Sequence, residues 1–134
     1  MMKPHLHLVE GSGLIERLEE YEPPDPEDVD MYITAHIGAE GGVGKDLFSF
    51  RLLTSKAFSK QLYAKRYVVG RGIMVVERFD FKFLWGLISA ICDGVEEDSW
   101  EAIGDRLSRY MEWEMDPRST IDFEYDWRQM NRWV

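Results

Sequence analysis

Between Met31 and Ile37 apolar and polar side chains alternate, with Met31, Ile33, Ala35 and Ile37 on one side of an extended chain and Tyr32, Thr34 and His36 on the other. A period of two belongs to a strand with one buried face. The glycine-rich stretch Gly38 to Gly44 then predicts a turn, and alternation resumes from Leu47 to Leu53 with Phe48, Phe50 and Leu52 on one side. A hairpin is expected. Residues 55–63 set Phe58 and Leu62 four apart, on one face of one or two helical turns. Gly72 to Phe79, with Ile73, Val75 and Val76, predicts a third strand.

The period then changes. Asp80 is placed to cap a helix through Phe81, Leu84, Trp85, Leu87, Ile88 and Ile91, and Gly94 supplies a residue able to end it in left-handed geometry. This helix is apolar on most sides and is expected to lie buried against the sheet. A second helix opens at Asp98-Ser99-Trp100-Glu101, where Asp98 is expected to accept from the amide of residue 101 while Glu101 reaches back. Trp100, Ile103, Leu107 and Met111 form its buried stripe. After Pro117 come an alternating stretch, Ile121 to Tyr125, and a tail with Trp127, Met130 and Trp133.

Ahead of the first strand, Glu10 to Asp30 contains Glu22-Pro23-Pro24-Asp25-Pro26, where each proline removes a donor and disfavours helix before it. An extended arm is expected, with a short helix at about Leu14 to Glu20. The whole predicts one α+β domain over residues 1–134: an acidic, proline-containing arm (1–30), a core (31–116) and a C-terminal extension (117–134). Its antiparallel sheet of three to four strands is covered on one face by two C-terminal helices. The open face carries Tyr32, Thr34, His36, Ser49 and Arg51, a natural place for a partner.

Charge sharpens this picture. The net charge is −9, but residues 10–30 hold nine acids and one base, residues 45–82 three acids and nine bases, and residues 93–126 twelve acids and three bases. An acidic surface repels nucleic acid and anionic membranes and complements a basic protein. The start of the chain lacks the apolar core of a signal peptide, and no run reaches the roughly 18 apolar residues of a membrane span. The single cysteine, Cys92, lies in an apolar stretch. A reducing, cytoplasmic setting is expected.

Three constellations invite chemistry. GAEGGVGKD suggests a phosphate loop, but Ala39 stands where that motif needs glycine and Asp46 where it needs Ser or Thr. A hairpin loop fits better. His5, His7 and His36 are metal-binding residue types, yet their spacing follows no metal-site pattern, and exposed or sheet-face histidines are expected. Glu112 and Glu114 are a carboxylate pair without a companion nucleophile. No cofactor, metal or catalytic residue is expected, and a hydrolase is the weakest reading.

The ordered features resemble the immunity protein 8 family of bacterial polymorphic toxin systems. They are the lead-in Tyr21-Glu22-Pro23 to Asp30, Ile37-Gly38 before the glycine-rich turn, Asp46-Leu47-Phe48-Ser49-Phe50 and Leu53-Thr54. Further on come Gly70-Arg71, the strand Ile73 to Asp80, Ser99-Trp100, Leu107-Ser108-Arg109 and Trp113-Glu114. The likeness covers about residues 14–115; Met115 departs from it where an aromatic is common, and the tail extends past it. It implies a protein that protects its own cell by binding and blocking a cognate toxin, with no catalytic residues. The contacts expected for such a role are Glu40 and Asp46 on the loop, Glu96 and Glu97 between the helices, and Glu112, Trp113, Glu114 and Asp116. A reading of a different class is a non-catalytic regulatory or structural module that forms homo-oligomers through its sheet edge or its tryptophan-rich tail.

Overall fold

In the computed structural model, which describes residues 1–117 and 124–133, the hairpin is the centre of the sheet. Strands β2 (Asp30–Ala39) and β3 (Asp46–Thr54) pair antiparallel, with Ile33 opposite Phe50 and Ala35 opposite Phe48. These four side chains are buried, as are Ile37 and Leu52 on the same face. The alternation therefore sorts the faces as the sequence predicts.

Within the expected arm lies a further strand, β1 (Pro4–Gly11), antiparallel to β2 at the sheet edge. Its register slips between Leu6 and Leu8. The bulge lets Leu6 and Val9 both reach the core and turns Leu8 outward. Beyond β1 the short helix shrinks to a 3₁₀ turn over Leu18–Glu20, with Leu18 buried. The prolines follow, and Asp25 and Asp28 reach Lys56 and Lys60 on helix α1 (Ser55–Lys65). Part of the arm's charge is thus neutralised on the fold, and Lys56 holds the Asp25 carboxyl below the usual carboxylate range.

Helix α1 follows β3 directly and carries the chain across, so β4 (Ile73–Val76) runs parallel to β3, with Leu52 opposite Met74. A parallel neighbour needs such a crossover, and α1 supplies it. The other described pairs are antiparallel, including the two-residue strand β5 (Glu112–Trp113), which lies beside Phe48 and Ser49 of β3.

Helices α2 (Phe81–Asp93) and α3 (Trp100–Leu107) pack Leu84, Ile88, Cys92, Ile103 and Leu107 into the same core as the inward sheet residues. Fully burying each of these leucine and isoleucine side chains is worth about 1.5–3 kcal/mol. Asp80 caps α2 by accepting from the Lys82 and Phe83 amides. Three details differ from expectation. Only one stripe of α2 is buried, and Phe83 is 59% exposed. Gly94 keeps right-handed geometry at φ −81°, because its amide still reaches the Ala90 and Ile91 carbonyls at 3.2 Å. The cap of α3 is Ser99 rather than Asp98: the helix begins one residue later, and the Ser99 hydroxyl accepts from the Ala102 amide at 3.1 Å.

Thr54 fastens β3 to the arm. It is fully buried; its hydroxyl donates to the Glu27 carbonyl at 2.6 Å and accepts from the Val29 amide at 2.7 Å. Thr54→Val keeps the shape but strands the Val29 amide, while the Glu27 carbonyl keeps the Lys56 amide at 2.8 Å, so urea denaturation is expected to show a loss of about 1–3 kcal/mol. Unchanged stability would contradict this role.

Most of the alternating stretch from Ile121 lies outside the described residues. The tail reappears against α1 and the loop after it: Lys65 meets Glu124 at 3.0 Å, the Tyr125 amide donates to the Tyr67 hydroxyl at 2.7 Å, and Arg66 sits 4.4 Å over the Trp127 ring. Trp127–Trp133 forms 3₁₀ turns with Met130 half exposed.

Candidate functional site

One end of the sheet gathers the acidic segments. The end of β2 and the start of β3 meet there, joined by the glycine-rich loop with Glu40 at its base. The Glu40 amide donates to the Lys3 carbonyl at 2.9 Å, and Met2 pairs with Glu97 through two backbone bonds of 2.7 and 3.0 Å. The loop between α2 and α3, carrying Glu96 and Glu97, is therefore stitched beside Glu40. On the other flank, the Leu47 amide donates to Glu114 Oε1 at 2.9 Å, and Glu112 lies opposite Ser49. Residues from loops and strands far apart in sequence thus share one pole.

The candidate residues differ in exposure. Glu40, Glu96 and Glu114 are exposed, and Glu97 and Glu112 are half-buried. Glu97 lies 3.6 Å from Arg106. The Asp116 side chain is only 4% exposed and faces Arg71 at 3.6 Å. A cavity of about 350 Å³ opens between Trp113, Asp116 and the first turns of α3 at Ser99, Glu101 and Asp105.

Asp46 and Trp113 act together, joined by a residue that the sequence marks only as core. Asp46 Oδ2 accepts from the indole N–H of Trp100 at 2.8 Å and from that of Trp113 at 3.0 Å. Trp113 also stacks on Phe48, with rings 7° from parallel and centroids 6.1 Å apart. Across the ring sits Gly104, where a Cβ would come within 2.6 Å of the indole. Glycine is the residue that lets α3 approach this closely.

The sheet face away from α2 and α3 holds the side chains expected there, and Arg51 on it also meets Gln61 of α1 at 3.4 Å. Thr34 and Ser49 hydroxyls are 3.1 Å apart, Arg51 grips Asp30 through two bonds of 2.9 and 2.7 Å, and Tyr32 is 55% exposed. His36 Nε2 lies 3.1 Å from Glu10 Oε1 but lacks hydrogen-bonding geometry, and it is buried at that atom. His7 is likewise buried at Nε2; burial first, then Lys45 and His5, holds its pKa below the ordinary value. No group of three or more metal-ligating side chains is placed to hold an ion among the described residues. Burial pushes the Cys92 thiol up to about 11, which disfavours a nucleophilic thiolate. Among the described residues no helix is long and apolar enough to cross a membrane.

Comparison with known proteins agrees with the order of these features. No curated protein and no solved structure matches the chain. The family model described as Immunity protein 8 matches residues 6–117, from within β1 to just past β5. That span takes in the sheet, the three helices and the acidic end, and leaves the tail outside it. With most of its length matched, the chain belongs to the Immunity protein 8 family and is by that membership an immunity protein against a toxin.

Proposed function

We propose that this protein neutralises a cognate toxin domain by forming a one-to-one complex with it in the cytoplasm, and that the acidic end of the sheet is the docking surface. The observation that supports this most is the convergence of Glu40, Glu96, Glu97, Glu112 and Glu114 from separate segments onto one pole. Glu97 is partly offset by Arg106, and the exposed Glu40, Glu96 and Glu114 leave a negative surface that a complementary basic one offsets on binding. The occupant that fits is a toxin with a basic cleft, as a nucleic-acid-cleaving domain has, where carboxylates take the place of phosphate charge.

Within that surface the residues divide by role. The five glutamates meet the partner, while Asp46, Trp113 and Asp116 support them from behind. Inhibition needs no catalytic group in this account. Titrating the purified toxin domain into the protein by calorimetry, at low and at high salt, tests the reading. A one-to-one complex that weakens steeply with salt is expected. A complex of unchanged affinity at both salt concentrations would move docking away from this pole.

A further inference from the structure

Carboxylates in this protein are held in different ways. Asp25, Asp28 and Asp30 are each paired with a cation, from Lys56, Lys60 and Arg51. Asp46 is held by two neutral donors, the indoles of Trp100 and Trp113. A lysine or arginine in their place would cancel the charge that it fixed. Indole N–H groups fix the carboxylate and leave its charge in place.

The position of Asp46 gives this arrangement a consequence. It is the first residue of β3, immediately after a loop with exposed Gly41, Gly42 and Gly44, a sequence with little stiffness of its own. Its two donors come from the first turn of α3 and from β5, 54 and 67 residues further along the chain. One oxygen atom thereby ties together three segments that border the acidic pole. Like charges there push these segments apart, and the tie opposes that push.

We propose that Asp46 is a positioning residue for toxin binding: its carboxylate, shared by the Trp100 and Trp113 indoles, presets the loop, α3 and β5 so that the surrounding glutamates meet a basic partner without reordering. The inference rests on the toxin-binding reading above. Presetting works by lowering the ordering cost paid on association.

Two substitutions separate positioning from direct charge contact. Asp46→Ala removes the shared acceptor, whereas Asp46→Asn removes the charge and keeps an acceptor oxygen. Affinity for the toxin domain, measured by calorimetry, is expected to fall about tenfold or more in Asp46→Ala and to stay within about threefold of the unaltered protein in Asp46→Asn. In the same samples the Trp100 and Trp113 indole protons, followed by NMR, are expected to exchange slowly with solvent in the unaltered and Asn proteins and faster in the Ala protein. Equal losses in the two variants would mark Asp46 as a direct charge contact and overturn the proposal. A complex that Asp46→Ala leaves equally tight would also overturn it while sparing the toxin-binding reading. Absence of any complex with the unaltered protein would overturn both.

Discussion

Trp113→Ala is expected to lower stability by about 3–5 kcal/mol, the usual range for removing a large aromatic from a packed site, and to lower the thermal midpoint by about 10–20 °C for a chain of this size. The indole touches several parts of the fold at once. It stacks on Phe48, lies against Gly104 and donates to Asp46. β5 is only two residues long, and besides its own pairing the two bonds between Leu47 and Glu114 hold it beside β3. Trp113→Phe retains the ring stacking and loses the bond to a carboxylate, a contribution of about 1.5–3 kcal/mol, so thermal denaturation should rank it between the parent and the alanine variant. Affinity for the toxin follows the same residue, because the acidic pole loses a support. Trp113→Ala is expected to weaken binding more than alanine at any single glutamate of the pole. A loss equal to or smaller than that from one glutamate would remove Trp113 from the interface account.

Replacing Glu40, Glu96, Glu97 and Glu112 together by glutamine is expected to slow association with the toxin by about 10- to 100-fold at low ionic strength, since clustered charge raises encounter rates by such factors. The change is isosteric and falls on exposed or half-buried side chains. Core packing is untouched, and relief of like-charge repulsion offsets the loss of the part-exposed Glu97–Arg106 pair, so the thermal midpoint should stay about equal. Stopped-flow association at two salt concentrations measures it. The salt dependence should flatten along with the rate. An association rate unchanged by the four substitutions would show that the partner meets another surface, with the open sheet face around Tyr32 the next to examine.

What the sequence reveals and what it hides follow from the range of the interactions involved. The β2–β3 hairpin, the Asp80 cap and the Ile103–Leu107–Met111 stripe are legible because each is written in neighbouring residues with a fixed period. β1 is hidden because its bulge sets the buried Leu6 and Val9 three apart, which breaks the alternation a strand normally shows. The direction of β4 depends on how α1 crosses the sheet, and periodicity does not encode it. Ser99 displaces Asp98 as the cap of α3 by a single step in where the helix starts, a choice made by packing. At the pole, the acidic residues are readable as charge, and Trp113 as an aromatic among them. The bond between Asp46 and Trp100 is not readable: it joins residues 54 apart, and Trp100 looks like one more core position on its stripe.

Survival of cells that co-express this protein with a candidate toxin domain tests most directly whether it neutralises a toxin by binding it. The account predicts rescue of growth and recovery of the two proteins as a one-to-one complex. Continued killing, with both proteins folded and no complex recovered, would contradict it.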